Sequence, residues 1–372
     1  MFMEIHGHAT GSHLYVIYDE IQYFPDWERH LKSLVDSFPR IRFVVSGSAA
    51  AALKLKSAES GAGRFTEFLL PPLTFTEFIR FSGWADVVDH ENYDESIQET
   101  NAAFIDYLNF GGFPEAVMVP TVRQEMDRYI ANDIVDKVLL RDLPSLYGIP
   151  DTQELKRFFT TIAYNTGMEV SYEGLSKSSG IAKNTIRKYL DYLEAAFLIH
   201  RHHRIDQNAQ RFKRVTHFKV YLVNASIRAA LFGPVSDDSE AMGRLAETAY
   251  IGQIASTKFA DSMFYARWAK GEVDVVYVST DRSLITASEI KWSDRAYGNP
   301  QTELKSLIAF ANANSLDRVT VFTRTELGKR NIDGLEIMFL PVAVECFDMP
   351  QSLIEKPFQD GIDPRTFQPF VE

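Results

Sequence analysis

"LYVIYDEIQ", Leu14 to Gln22, is the stretch on which the reading of the fold turns. Five apolar or aromatic residues run into two adjacent carboxylates, Asp19 and Glu20. Such a run reads as a buried strand of a parallel sheet. Carboxylates at its C-terminal end lie at the edge where α/β sheets take ligands. A second apolar run, "IRFVVS" at 41–46, ends beside Gly47 and Ser48, a polar tip suited to phosphate or water. Between the two runs, "DWERHLKSLVDSFP" places Trp27, Leu31, Leu34 and Phe38 on one helical face. Strand, helix and strand at this spacing make a βαβ unit.

The whole chain of 372 residues allows two to three domains. Its net charge of −11 excludes a uniformly basic surface that coats nucleic acid, though not a local basic patch. Cys346 is the single cysteine, so neither an intramolecular disulfide nor a cysteine-based zinc site can form, which suits a reducing, cytoplasmic setting. Neither a signal peptide nor a membrane span is expected. His6, His8 and His13 read as a polar end, and His200, His202 and His203 as part of a strand, rather than as metal sites.

From about Phe75 to Asp142 the pattern is mainly helical, with one helix stopped at Gly111-Gly112. Residues 150–205 read as helix, turn, helix and strand, the pattern of a winged helix. Ser178-Ser179-Gly180 makes the turn, and the second helix buries Ile186, Leu190, Leu193 and Phe197. Lys183, Thr185, Arg187 and Lys188 on its other face are the candidate DNA contacts. The run 200–219 adds six Lys or Arg and four His against one Asp, a local basic patch suited to DNA. From about 215 the reading is α/β, and the last residues form a Pro-rich tail.

Six separated motifs then fall into one order: "YDEIQYFPDWERHLKSLVD", "VVSGSAAAAL", "GAGRFTEFLLPPLTFTEFI", "YLNFGGFPEAV", "DRYIANDIVDKVLLRDL" and "EVDVVYV…EIKWSD". This series resembles the prokaryotic AAA-type ATPases that carry a C-terminal DUF4143 domain, over about residues 14 to 295. The resemblance implies that Asp19 and Glu20 are the Walker B acids, with Asp19 on Mg²⁺. It makes Ser48 the sensor-1 strand end and Arg64 an arginine finger or sensor. ATP and Mg²⁺ are the implied cofactors. The family's G-x-x-x-x-G-K-[ST] loop is not spelled in "MFMEIHGHATGSH", residues 1–13. The chain alone is therefore not expected to hydrolyse ATP; the three readings of its N-terminus are a start site placed too late, a truncated copy and a functional protein without the loop. A partner would supply the phosphate loop, and a homo-oligomer is the other assembly that the family implies.

Further along, Asp274 in "EVDVVYV" has Val273, Val275 and Tyr277 on the opposite strand face. Glu289 and Lys291 in "SEIKW" point to one side, and Glu247 shares a helix face with Ile251 and Ile254. Glu, Asp and Glu-x-Lys on helix, strand and strand is the PD-(D/E)XK nuclease arrangement. There Asp274 and Glu289 would hold Mg²⁺ and Lys291 would orient water. The expected fold is thus multi-domain α/β. A partial AAA-type parallel sheet spans 1–82 and a helical lid 83–149. A winged helix spans 150–206, a restriction-endonuclease-like domain 207–345 and a tail 346–372. The expected function is that of an incomplete AAA-type ATPase acting on DNA. The alternatives are a non-enzymatic DNA-binding or interaction protein and an ATP-independent Mg²⁺ nuclease.

Overall fold

A computed structural model describes residues 7–8, 13–47, 66, 69–88, 93–209, 216–255, 257, 259–278 and 284–355. Strands β1 (Leu14–Tyr18) and β2 (Ile41–Val45) pair in parallel, with Leu14 opposite Ile41 and Tyr18 opposite Val45. Helix α1 (Trp27–Ser37) connects them, as the spacing predicts. Trp27 and Leu31 are buried against Phe43 and Val45. The other sheet face is open: Tyr15 is 77%, Ile17 70% and Val44 48% exposed.

A nine-stranded mixed sheet forms the rest of the scaffold, in the order β10-β11-β9-β8-β7-β6-β4-β5-β3. Its N-terminal part comes from β3 (Glu169–Ser171), β4 (Ile199–Ile205) and β5 (His217–Leu222). Helices α2 (Phe75–Phe81) and α3 (Tyr93–Phe110) precede these strands. Helices α4 (Thr152–Tyr164), α5 (Tyr172–Ser179) and α6 (Lys183–Ala195) lie around them in sequence. Ser171 caps α5 by accepting the Gly174 N–H at 3.0 Å, and Gly180 ends it at φ +74°, a conformation suited to glycine.

Helix α6 buries Ile186, Tyr189, Leu190 and Leu193. Phe197, expected on the same face, is 41% exposed at φ +53°. The helix stops at Ala195, so the 3.6-residue period no longer sets its direction.

Strands β6 (Met263–Trp268), β7 (Gly271–Val278), β8 (Leu284–Ile290), β9 (Arg318–Thr323), β10 (Gly328–Ile332) and β11 (Leu335–Pro341) complete the sheet. Helix α7 (Met242–Ala255) covers one face and α8 (Lys305–Ala313) the other. Two expected divisions of the chain are crossed by this packing. β5, placed after the boundary at 206/207, pairs with both β3 and β4. Phe75 and Phe78 of α2 join Phe104 and Leu108 of α3 against α7 and the C-terminal helix α9 (Val342–Glu355). The Phe75 N–H donates to Gln253 Oε1 at 2.8 Å. The tail expected from residue 346 is helical to Glu355, because Cys346, Phe347 and Met349 are buried in that same cluster.

The turn after α3 depends on glycine. Gly112 sits at φ +92°, and a Cβ there would lie 1.8 Å from Asn224 Nδ2. Asn224 in turn donates to the Gly111 carbonyl at 3.2 Å. Residues Asp127–Asp136 and Val138–Asp142 are wound as wide π-helix, a rare form.

Candidate functional site

At the N-terminal edge, Asp19 is exposed, and its Oδ1 accepts the Ser46 hydroxyl from the end of the neighbouring strand. Parallel pairing brings the two tips together, since Tyr18 is opposite Val45. Glu20 adopts φ +51° and meets Lys137 Nζ at 3.1 Å, so the π-helical segment holds this carboxylate. Tyr23 donates to Asp142 Oδ1 of the same segment at 2.5 Å. Burial and this carboxylate push the Tyr23 hydroxyl up to about 12. A cleft of about 670 Å³ opens beside these groups, lined by Tyr18, Asp19, Glu20, Trp27, His30 and Leu34. Ser48 and Arg64 lie outside the described residues. Asp19, exposed at a strand tip beside a hydroxyl, fits a hydrated Mg²⁺ that arrives with phosphate.

On the outer face of α6, Lys183, Arg187 and Lys188 are exposed and Thr185 is half-buried. Two of the cations already have partners. Lys183 pairs with Glu173 at 3.3 Å, and Arg187 lies over the Tyr172 ring at 5.1 Å. The basic run 200–219 is not a free surface patch where it is described. Arg201 pairs with Asp191 at 2.8 Å and with Glu194. Arg204 pairs with Glu169 at 3.7 Å and donates to the Arg267 carbonyl. His202 is fully buried, and burial together with His200 and Lys219 keeps its imidazole neutral, well below the usual range. Lys219 also points inward. Arg211, Lys213 and Arg214 lie outside the described residues.

The four residues of the expected C-terminal centre do meet, at the junction of α7, β7 and β8. A bulge places Asp274. Phe264 pairs with Val276 but Ala266 with Val273, so Asp274 and Val275 together oppose Tyr265. The strict alternation expected for β7 therefore fails. Val273 packs towards α8, whereas Val275 and Tyr277 join the cluster under α7.

At the centre of this group is Lys219, which the basic-patch reading missed. Its Nζ lies 2.8 Å from Glu272 Oε1, 2.9 Å from Glu247 Oε1 and 3.4 Å from Asp274 Oδ1. Tyr221, two residues on and on the same strand face, donates to Glu247 Oε1 at 2.5 Å. Lys291 meets Glu289 Oε1 at 2.6 Å. Glu289 Oε2 is buried with no hydrogen-bond partner among the described residues. Burial first, then the Asp274 charge, push Glu289 up to about 8, against the pull of Lys291. Burial raises Glu247 in the same direction, opposed by Lys219. Burial works against the Lys219 ammonium, but Glu247, Tyr221, Asp274 and Glu272 together hold its affinity for the proton well above normal.

The signal for Lys219 was present in "HFKVYLV". A cation flanked by Phe218, Val220 and Leu222 stands in a near-continuous apolar run, the pattern of a strand covered on both faces. A buried cation needs anions facing it.

The nuclease resemblance calls for Mg²⁺ here, and the placed residues do not fit it. Magnesium needs carboxylate oxygens and waters in near-octahedral array. Asp274 already accepts from Lys219 through Oδ1 and from the Ile290 N–H through Oδ2. Glu247 Oε1 accepts two donors and Glu289 Oε1 accepts Lys291. Among the described residues, no group of three or more His, Cys, Asp or Glu side chains is arranged to hold a metal ion.

The class that these features define is a mixed α/β protein with a nine-stranded mixed sheet. Residues 1–79 match the family model described as "AAA domain". Residues 101–238 match a different family from the one expected, "Domain of unknown function (DUF8612)", which crosses the expected divisions at 149/150 and 206/207. Among known proteins, the chain is 29% identical over 230 residues to an uncharacterized protein of Haemophilus influenzae, covering 60% of this chain and 54% of that one. It is also 22% identical to the uncharacterized protein MJ1544 of Methanocaldococcus jannaschii, covering 73% of this chain and 60% of that one. The chain thus spans little more than half the length of the curated relatives it matches. No solved structure matches. No helix among the described residues is long and apolar enough to cross a membrane.

Proposed function

We propose that this chain is an AAA-type protein that joins a nucleotide-responsive edge to a DNA-contacting winged helix. The nucleotide half rests on one observation, the Asp19–Ser46 pair at adjoining strand tips within the segment that matches an AAA domain. Asp19 holds Mg²⁺ there, and the ion neutralises phosphate charge. The phosphate loop comes from outside residues 13–47. Glu20 couples this edge to the π-helical segment through Lys137. A nucleotide that draws Glu20 towards water breaks that pair and so signals its arrival.

The DNA half is favoured by a separate observation. The succession β3, α5, Gly180 turn and α6, with β5 pairing both β3 and β4, supports reading this segment as a winged helix. Lys183, Arg187 and Lys188 stand exposed on its second helix, ready for phosphate or base edges.

Calorimetric titration with Mg·ATP tests the first half. Weak saturable binding, weakened at least tenfold by Asp19→Asn, is expected. Binding indifferent to that change, or none at any accessible concentration, overturns it and leaves a non-enzymatic DNA-binding or interaction protein. Fluorescence anisotropy with duplex DNA tests the second half. Salt-sensitive binding lost in Lys183→Ala/Arg187→Ala/Lys188→Ala is expected. Mg²⁺-dependent DNA cleavage abolished by Glu289→Ala would instead support the nuclease reading.

A further inference from the structure

We infer that the Lys219 ammonium permanently fills the position among Glu247, Glu272 and Asp274 that a divalent ion would otherwise take, so that these three carboxylates form a closed ionic core. The inference is independent of the nucleotide reading.

Three observations carry it. The ammonium has three N–H donors, and three carboxylates lie within 2.8 to 3.4 Å of Nζ. Its donors are therefore matched by acceptors that would otherwise face a cation. Second, the lysine has no way out. Its side chain is 5% exposed, and it sits in β5 between β3 and β4. The Tyr265 ring closes one side at 5.5 Å from Nζ. Lysines usually escape burial by extending their heads to water, and here the strand register forbids it. Third, the surrounding carboxylates are held for this partner. Tyr221 fixes Glu247, Arg267 holds Glu272 at 2.7 Å, and the Ile290 N–H fixes Asp274 at 3.0 Å. A divalent ion entering this group would have to displace the ammonium into an apolar interior.

The arrangement makes a reciprocal claim. Without the Lys219 side chain, Glu247, Asp274 and Glu272 face an emptied position with no cation. The site should then accept a divalent ion.

The experiment is a Mn²⁺ titration of the full chain, followed by electron paramagnetic resonance, in an Asp19→Asn background that removes the N-terminal carboxylate. The background protein is expected to show no Mn²⁺ site sensitive to Asp274→Asn. Lys219→Ala is expected to gain one site, at least tenfold tighter than any in the background protein, and to lose it again on adding Asp274→Asn. A background protein that already binds one Mn²⁺ through Asp274 overturns the inference. So does a folded Lys219→Ala variant that gains nothing. If Lys219→Ala does not fold, the lysine ammonium resonances of the ¹⁵N-labelled Asp19→Asn chain decide. A slowly exchanging signal, assigned to Lys219 by its loss in Lys219→Arg and unmoved by excess Mg²⁺, supports the inference. A signal that Mg²⁺ shifts or abolishes refutes it.

Discussion

Replacing Lys219 with methionine keeps most of its length and removes its charge. The change leaves Glu247, Glu272 and Asp274 around a position with no ammonium. Of the three, Glu272 keeps Arg267 at 2.7 Å and Asp274 keeps the Ile290 N–H at 3.0 Å. Glu247 keeps only the Tyr221 hydroxyl among these partners. Removing one member of a buried ion pair costs about 3–5 kcal/mol, mostly because the remaining charge stays buried. Urea unfolding at neutral pH, followed by tryptophan fluorescence, is the assay. A loss in that range is expected for Lys219→Met, and most of it should return in Lys219→Met/Glu247→Gln. The loss should also shrink as pH falls towards 5, because the orphaned Glu247, whose carboxyl pKa burial already raises, then takes up a proton. A loss below about 1 kcal/mol, the range of an exposed pair, would refute the claim that this lysine is the buried counter-ion of the centre.

Other outcomes follow from the same geometry. Glu345 is pushed up to about 7 by burial and by Asp348. Its native state holds a proton that the unfolded chain releases near pH 4.5, so its contribution is complete below pH 4.5 and fades as pH rises through 7. Stability between those limits should fall by up to about 1.4 kcal/mol per pH unit from this group, and Glu345→Gln should flatten that part of the profile. Gly112→Ala forces a side chain to φ +92° and onto Asn224, so a loss of about 2 kcal/mol or more is expected in thermal unfolding. Tyr23→Phe removes the hydrogen bond to Asp142, and limited proteolysis should cut after Ser37 or near Val45 more readily, by about 0.5–1.5 kcal/mol of local opening.

Much of this fold was legible because its strands and helices are periodic and long enough to declare themselves. The βαβ unit and the α5–Gly180–α6 turn follow from alternation and spacing alone, whereas the meeting of Glu247, Asp274, Glu289 and Lys291 was legible only through the nuclease-like order of helix, strand and strand. What the sequence hid was pairing at a distance. Nothing local in Phe75 says that its ring meets that of Phe347 edge-on, from the far end of the chain. The bulge at Asp274 is invisible in "EVDVV", because an extra residue shows only against the partner strand. Lys219 was counted by charge when its apolar neighbours should have been weighed, and Arg201 and Arg204 were lost to the same count. A charge tally treats every cation as solvated; a strand covered on both faces does not allow that.

The join between β4 and β6 has a mechanical meaning. Among the described residues, only the pairs Arg204–Tyr265 and Ile205–Ala266 connect the two parts of the nine-stranded sheet there. Elsewhere the ladder is longer, so this is the seam along which the molecule would part first. Across it run side chains that act as stitches. Tyr265 donates to Glu169 at 2.8 Å, Arg267 reaches the same carboxylate, Arg204 donates to the Arg267 carbonyl at 2.8 Å, and Lys219 on β5 meets Asp274 on β7. A load that bends the sheet would therefore be carried at this line by charge rather than by backbone. Raised salt would loosen its half-exposed outer stitches and leave the buried one at Lys219 as the last to yield.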